Sequence, residues 1–142
     1  MNVEKILERK GRDVATADCH ITLQDAARQM RARKIGTLVL VDDQGRLAGI
    51  ISERDIVRAL ADSGGKAAEL PACDYMTKDV RVCRKTDTTA GLMAVMTENR
   101  VRHLPVMEGG ELAGIVSIGD VVIQRMEEMA FETEQMKQYI AS

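Results

Sequence analysis

Two short stretches carry the residue types best suited to chemistry. GIISERD (residues 49–55) and GIVSIGD (residues 114–120) each place a serine three residues ahead of an aspartate. Each closes an apolar, β-branched run and opens a helical pattern, so Ser52 and Ser117 read as N-caps. At such a corner the first-turn amides lack intrahelical acceptors and present partial positive charge, which suits an anion. The serine hydroxyl can donate to a phosphate oxygen, and Asp55 and Asp120 can each accept two hydrogen bonds from a vicinal diol such as a ribose. Arg54 adds a guanidinium able to grip phosphate bidentately. A ribose-phosphate ligand uses all of these groups together. For one corner alone a simpler account suffices, in which the serine caps the helix and the aspartate complements its dipole. Two equivalent corners shift the balance modestly toward a ligand, as do nearby cations at Lys34, Arg100, Arg102 and His103.

The elements that must position these corners repeat. Residues 13–41 align with residues 79–107 without a gap, sharing Asp13/Asp79, Val14/Val80, Thr22/Thr88, Met30/Met96 and Leu38/Leu104. After a one-residue deletion in the next turn, RLAGIISERDIV falls on ELAGIVSIGDVV. Each copy begins with a short extended piece, at residues 14–17 or 80–83. A helix capped by Thr22 or Thr88 follows, with Leu23, Ala26, Ala27 and Met30, or Leu92, Met93, Val95 and Met96, at helical spacing. TLVLV from Thr37, or HLPVM from His103, then forms a hairpin through DDQG or EGG with the strand that ends at the corner. The order is β-α-β-β-α, twice.

Residues 1–12 read as a helical segment ended by Gly11. The first repeat spans 13–62, residues 63–77 form a linker marked by Gly64, Gly65 and Pro71, and the second repeat spans 78–131. Residues 132–142 prolong the last helix. Ile118, Val122, Met126, Met129, Thr133, Met136 and Ile140 recur along that helix at steps of three or four. The stripe serves either packing within the chain or a homodimer seam, and periodicity does not name the partner.

Composition excludes several function classes. The chain has 142 residues, 45% hydrophobic and 30% charged, with a net charge of −2. That describes a soluble globular protein without global attraction to a polyanion. Aromatic residues make up only 2%, too few for base-stacking platforms on single-stranded nucleic acid. No stretch approaches the roughly 20 apolar residues that span a bilayer, and the N-terminus lacks the pattern of a signal peptide. The expected location is the cytoplasm. The cysteines, Cys19, Cys73 and Cys83, are odd in number and widely spaced, so they are no disulfide framework. Cys19 beside His20 has no second ligand pair in the sequence, which makes a zinc site improbable, and no metal is expected. No nucleophile–base set, Walker loop or Rossmann fingerprint is visible, so no catalytic residue is expected.

The doubled corners and the Arg102-His103-Leu104-Pro105-Val106 strand resemble those of a tandem pair of CBS domains, the Bateman module. The resemblance extends from Val3 to about Met129 and is greatest to short stand-alone bacterial CBS-pair proteins. It implies an α/β (α+β) fold of two β-α-β-β-α repeats packed about a pseudo-twofold, with the long C-terminal helix as an extension. It also implies two clefts between the repeats that take adenosine derivatives: AMP, ADP, ATP, S-adenosylmethionine or NAD(H). By that likeness Asp55 and Asp120 hold ribose hydroxyls and Ser52 and Ser117 face phosphate, with Arg54 and Arg102 as its cations and Gly119 also among the nucleotide-binding residues. Gly36, Thr37 and Leu38, with His103, Leu104 and Pro105, sandwich adenine together with Thr16, Ala17, Val82 and Cys83. The implied role is a cytoplasmic homodimeric sensor of energy or redox state, without catalytic cofactor, nucleic-acid partner or membrane. Alternatives are a ligand-independent structural dimer or partner-docking protein, and S-adenosylmethionine binding. The repeats differ where ligand choice should lie. Ile35-Gly36-Thr37-Leu38-Val39 stands opposite Val101-Arg102-His103-Leu104-Pro105, and Glu53-Arg54 stands opposite Ile118-Gly119.

Overall fold

The computed structural model describes residues 2–141. Its contacts divide the chain into two units, Val14–Arg81 and Met1–Asp13 with Val82–Ser142. Both are mixed α/β.

In the first unit β1 (Thr16–Asp18) pairs in parallel with β2 (Thr37–Val41), which pairs antiparallel with β3 (Leu47–Ser52). Between β1 and β2 runs α2 (Leu23–Arg33), and α3 (Glu53–Ser63) follows β3 directly. The Thr22 hydroxyl caps α2 by accepting from the Asp25 amide at 3.1 Å. Leu23, Ala26 and Met30 line its buried face and meet Leu38, Leu40, Ile51 and Ala59 in the core. The stretch expected as a linker is folded onto this core. It forms two 3-10 turns, Gly64–Glu69 and Ala72–Asp74, that bury Ala67 and Ala72. Thr77 then adds an antiparallel bridge to Ile50.

The second unit holds α4 (Thr89–Asn99), the hairpin β4 (His103–Glu108) and β5 (Glu111–Ser117), and α5 (Ile118–Ala141). The expected first strand of this repeat shrinks to a single parallel bridge from Cys83 to Val106. Proline explains the loss. In the first unit the Val39 amide donates to the Ala15 carbonyl at 3.1 Å. The residue equivalent to Val39 is Pro105, which has no N–H to give, so pairing cannot extend back toward Arg81.

α1 (Val3–Lys10) belongs to the second unit, not to the repeat that follows it in sequence. Its apolar face, Val3, Ile6 and Leu7, fills the core formed by Leu92, Met96, Leu104, Val106, Val116 and Val121. Close covering segments account for both corner glycines, α1 at Gly114 and residues 76–77 at Gly49. A Cβ on Gly114 would lie 2.8 Å from Leu7 Cδ2, and one on Gly49 would lie 2.7 Å from the Thr77 carbonyl oxygen. Each glycine therefore admits a covering segment against the last strand of its unit.

α5 packs by a different face from its apolar stripe. Val121, Gln124 and Glu128 are its buried residues. The Glu128 carboxylate accepts from the Thr89 hydroxyl of α4 at 3.1 Å and from Arg125 at 2.8 Å, so its charge enters the interior paired. Ile118, Val122, Met126, Met129, Met136 and Ile140 remain exposed, Met126 at 65% and Ile140 at 78%. Of the two roles the sequence left open for the stripe, packing within the chain finds no support among the described residues.

Candidate ligand-binding corners

Both corners form as the sequence suggests, at the junction of β3 with α3 and of β5 with α5. At the first, the Ser52 amide donates to Asp55 Oδ2 at 2.8 Å and the Ser52 hydroxyl to the same oxygen at 3.2 Å. Asp55 is buried, and its Oδ1 meets the Arg58 guanidinium at 3.1 Å. At the second, the Ser117 amide donates to Asp120 Oδ2 at 2.9 Å, and the Asp120 amide donates to Ser117 Oγ at 3.1 Å. Each aspartate thus completes a reciprocal capping box, which accounts for the three-residue spacing without any ligand.

The first-turn amides are less available than a bare helix start implies. The Glu53 amide already donates to the Gly36 carbonyl at 3.1 Å, and the Ile118 amide to the Arg102 carbonyl at 2.8 Å. These equivalent bonds tie each helix start to the residue just before the neighbouring strand. Register then places Thr37 opposite Ser52 and His103 opposite Ser117.

A residue the sequence reading missed completes the second corner. Lys10, at the end of α1, places Nζ 2.7 Å from Asp120 Oδ2 and donates to the Ile115 carbonyl at 2.9 Å. Arg9 donates to the Asp120 carbonyl at 3.5 Å and pairs with Glu127 at 2.8 Å. Burial pushes the Asp120 pKa up, but the Lys10 and Ser117 hydrogen bonds outweigh it, and the carboxyl lies below the usual range. His103 is shifted down by burial and by the Lys10 charge, against an opposing pull from Asp120. The cation that the sequence of the second corner lacks, where Gly119 replaces Arg54, is therefore supplied from more than a hundred residues away. Only the docking of α1 reveals it.

The other expected site residues scatter in character. Thr16, Arg54, Arg102 and Gly119 are exposed, whereas Ala17, Leu38, Cys83, Leu104 and Pro105 are buried. Leu38 and Leu104 point into their cores, so only their backbones can meet a ligand. Val82, Cys83 and Leu104 come together on a pocket of about 320 Å³, also lined by Thr86, Asp87, Thr88 and Val95. Burial, reinforced by Asp87, pushes the Cys83 thiol up to about 12, so it stays protonated. Lys34 and Arg100 are the left-handed C-caps of α2 and α4, at φ 56° and 54°. Their backbones have a structural task independent of any ligand.

Comparison with known proteins agrees with the doubled architecture. The CBS domain family model matches residues 3–62 and again 72–127. The chain belongs to the CBS domain family, as a tandem pair. It is 39% identical to an uncharacterized 17.7 kDa protein of Acidianus ambivalens over 103 residues, 72% of this chain and 61% of that one. The chain thus spans about three fifths of that relative's length. The crystal structure of the CBS-domain containing protein ATU1752 from Agrobacterium tumefaciens superposes with a TM-score of 0.84 at 45% identity, covering 87% of this chain and 92% of the other. CBS domain protein PAE2072 of Pyrobaculum aerophilum, complexed with AMP, gives a TM-score of 0.79 at 25% identity, covering 94% and 99%. The CBS domain pair of protein MJ0100, in complex with 5'-methylthioadenosine and S-adenosyl-L-methionine, gives 0.79 at 25% identity, covering 90% and 98%. No helix among the described residues is long and apolar enough to cross a membrane.

Proposed function

We propose that the protein is a regulatory module that binds an adenosine-containing nucleotide and transmits its presence by a shift in conformation or assembly. The observation that carries this proposal is the recurrence of a cation-paired aspartate hydrogen-bonded to a serine at equivalent strand-to-helix corners. Support comes from structural neighbours solved with AMP and with S-adenosyl-L-methionine. In each corner the capping bond holds the carboxylate at a fixed position, so a ribose diol meets a preorganised acceptor. Arg54 at the first corner and Lys10 at the second stand ready for phosphate. AMP, ATP or NAD(H) is the favoured class, and the role is sensing rather than catalysis.

Thermal unfolding with AMP, ATP, NADH and S-adenosylmethionine tests the proposal. A ligand at about 100 times its Kd adds about 2.7 kcal/mol, and each kcal/mol raises the melting temperature by roughly 2–4 °C in a chain of this size. Absence of a shift with every one of these compounds at millimolar concentration would sink it.

The exposed stripe of α5 favours a second element of the same function, self-association into a homodimer. Met126, Met129, Met136 and Ile140 form an apolar row that no segment among the described residues covers. Sedimentation of the purified chain, with Met126→Glu as control, decides whether a second copy covers it.

A further inference from the structure

The three cysteines offer no metal motif in sequence, but folding gathers two of them with a histidine and a carboxylate. Cys19, just past the end of β1, lies between Asp18 and His20, and the donor atoms of these three all fall within 4.8 Å of one another. Cys73 arrives from the 3-10 turn Ala72–Asp74, and its Sγ sits 3.9 Å from His20 Nδ1. We infer that Asp18, Cys19, His20 and Cys73 form a binding site for a thiophilic divalent cation of the zinc class.

The donor set suits that ion. Two thiolates, an imidazole and a carboxylate make a complete tetrahedral shell for Zn²⁺. With Zn–S near 2.3 Å and Zn–N near 2.0 Å, adjacent sulfur and nitrogen ligands lie about 3.6 Å apart in a tetrahedron. The observed Cys73–His20 separation needs to contract by only a few tenths of an ångström. The backbone beneath is held without the metal. The Cys73 amide donates to the Cys19 carbonyl at 2.9 Å, the Ala72 amide to the Ile21 carbonyl at 2.7 Å, and the Cys19 amide to the Val41 carbonyl at 2.9 Å. The His20 amide donates to Asp18 Oδ1 at 2.7 Å, which orients that carboxylate and leaves Oδ2 to face the ion. His20 is exposed and Cys73 half-buried, so an ion has a way in. Both thiols are free of disulfides. Bound metal would clip the covering segment of residues 64–77 to the strand end of the first unit.

The test is a titration of the chelator-stripped full chain with Co²⁺ and then Zn²⁺, under a reductant that is not itself a thiol. The expected result is one equivalent of Co²⁺ with a thiolate-to-cobalt charge-transfer band and intense tetrahedral d–d bands, displaced by Zn²⁺. Cys73→Ala and His20→Ala, both away from the deep core, should weaken binding by about a hundredfold or more, beyond the 10–100-fold typical of an outer-shell residue. Cys83→Ala should leave it unchanged. Zn²⁺ should also raise the melting temperature of the native chain and not of the Cys73→Ala variant. Absence of a charge-transfer band in the native chain, or Co²⁺ binding of unchanged affinity in Cys73→Ala, would overturn the assignment.

Discussion

Lys10 Nζ and Asp120 Oδ2 stand 2.7 Å apart, joining the last turn of α1 to the first turn of α5 across nearly the whole chain. The bond makes the N-terminal helix part of the second corner. Replacing Lys10 with Met should therefore raise the Asp120 pKa toward its ordinary value, as followed by carboxyl NMR titration. Because both groups are partly exposed, the loss of stability should stay at about 1 kcal/mol or less. An unchanged Asp120 titration would show that the pair does not persist in solution.

Asp120→Ala should separate binding from capping. Losing the cap costs about 1 kcal/mol. Losing an ionised acceptor for ribose hydroxyls costs about 1.5–3 kcal/mol per hydrogen bond, or roughly tenfold to a hundredfold in affinity. Calorimetric titration with the nucleotide that gives the largest thermal shift reads the second effect. Unaltered affinity with reduced stability would leave Asp120 a helix cap only.

Acid should weaken the second unit in two stages. The folded His103 pKa is lowered, so the unfolded chain binds its proton more readily, and stability falls as pH drops below roughly 6.5. The folded Asp120 pKa is also lowered, so its contribution is present above the ordinary carboxylate range and is lost as pH falls through the folded value. Melting temperature against pH, compared for the native chain and His103→Gln, should show a flatter near-neutral limb in the variant. Parallel limbs would contradict the His103 part.

The corner glycines should not tolerate alanine equally. At Gly49 the new methyl meets the Thr77 carbonyl, which is backbone, whereas at Gly114 it meets the end of the Leu7 side chain. Overpacking costs typically about 1–3 kcal/mol, and Gly49→Ala should lie at or above the upper end with Gly114→Ala below it. Denaturant midpoints measure the difference, and a reversed order would mean that the Thr77 segment yields more readily than Leu7.

Pro105→Val should restore the donor that shortens the strand at Cys83. The new amide restores the ladder donor that Val39 supplies in the first unit, a bond of about 0.5–1.5 kcal/mol that offsets the loss of proline's restraint on the unfolded chain, about 0.4–1 kcal/mol. Stability should hardly change, while hydrogen exchange at residues 81–83 slows. Unslowed exchange would place the cause outside Pro105.

The repeat, the hairpins, the threonine caps of α2 and α4 and both serine–aspartate corners were legible in the sequence. Each depends on interactions between residues a few positions apart, and each appears twice. Even the faulty strand before Cys83 has a local sign, the proline that replaces Val39. What only the tertiary structure decided depends on contacts between distant segments. α1 could have covered either repeat, since its Val3, Ile6 and Leu7 face fits any apolar surface, and only docking carries Lys10 to Asp120. The stripe on α5 left its partner open, and within the chain Glu128 is the residue drawn inward, because Thr89 and Arg125 are there to satisfy it. Cys19 and Cys73 show the same limit most directly. Their separation along the chain hides a juxtaposition that exists because residues 71–73 lie alongside residues 19–22, joined by backbone hydrogen bonds that leave no mark in the spacing of the side chains.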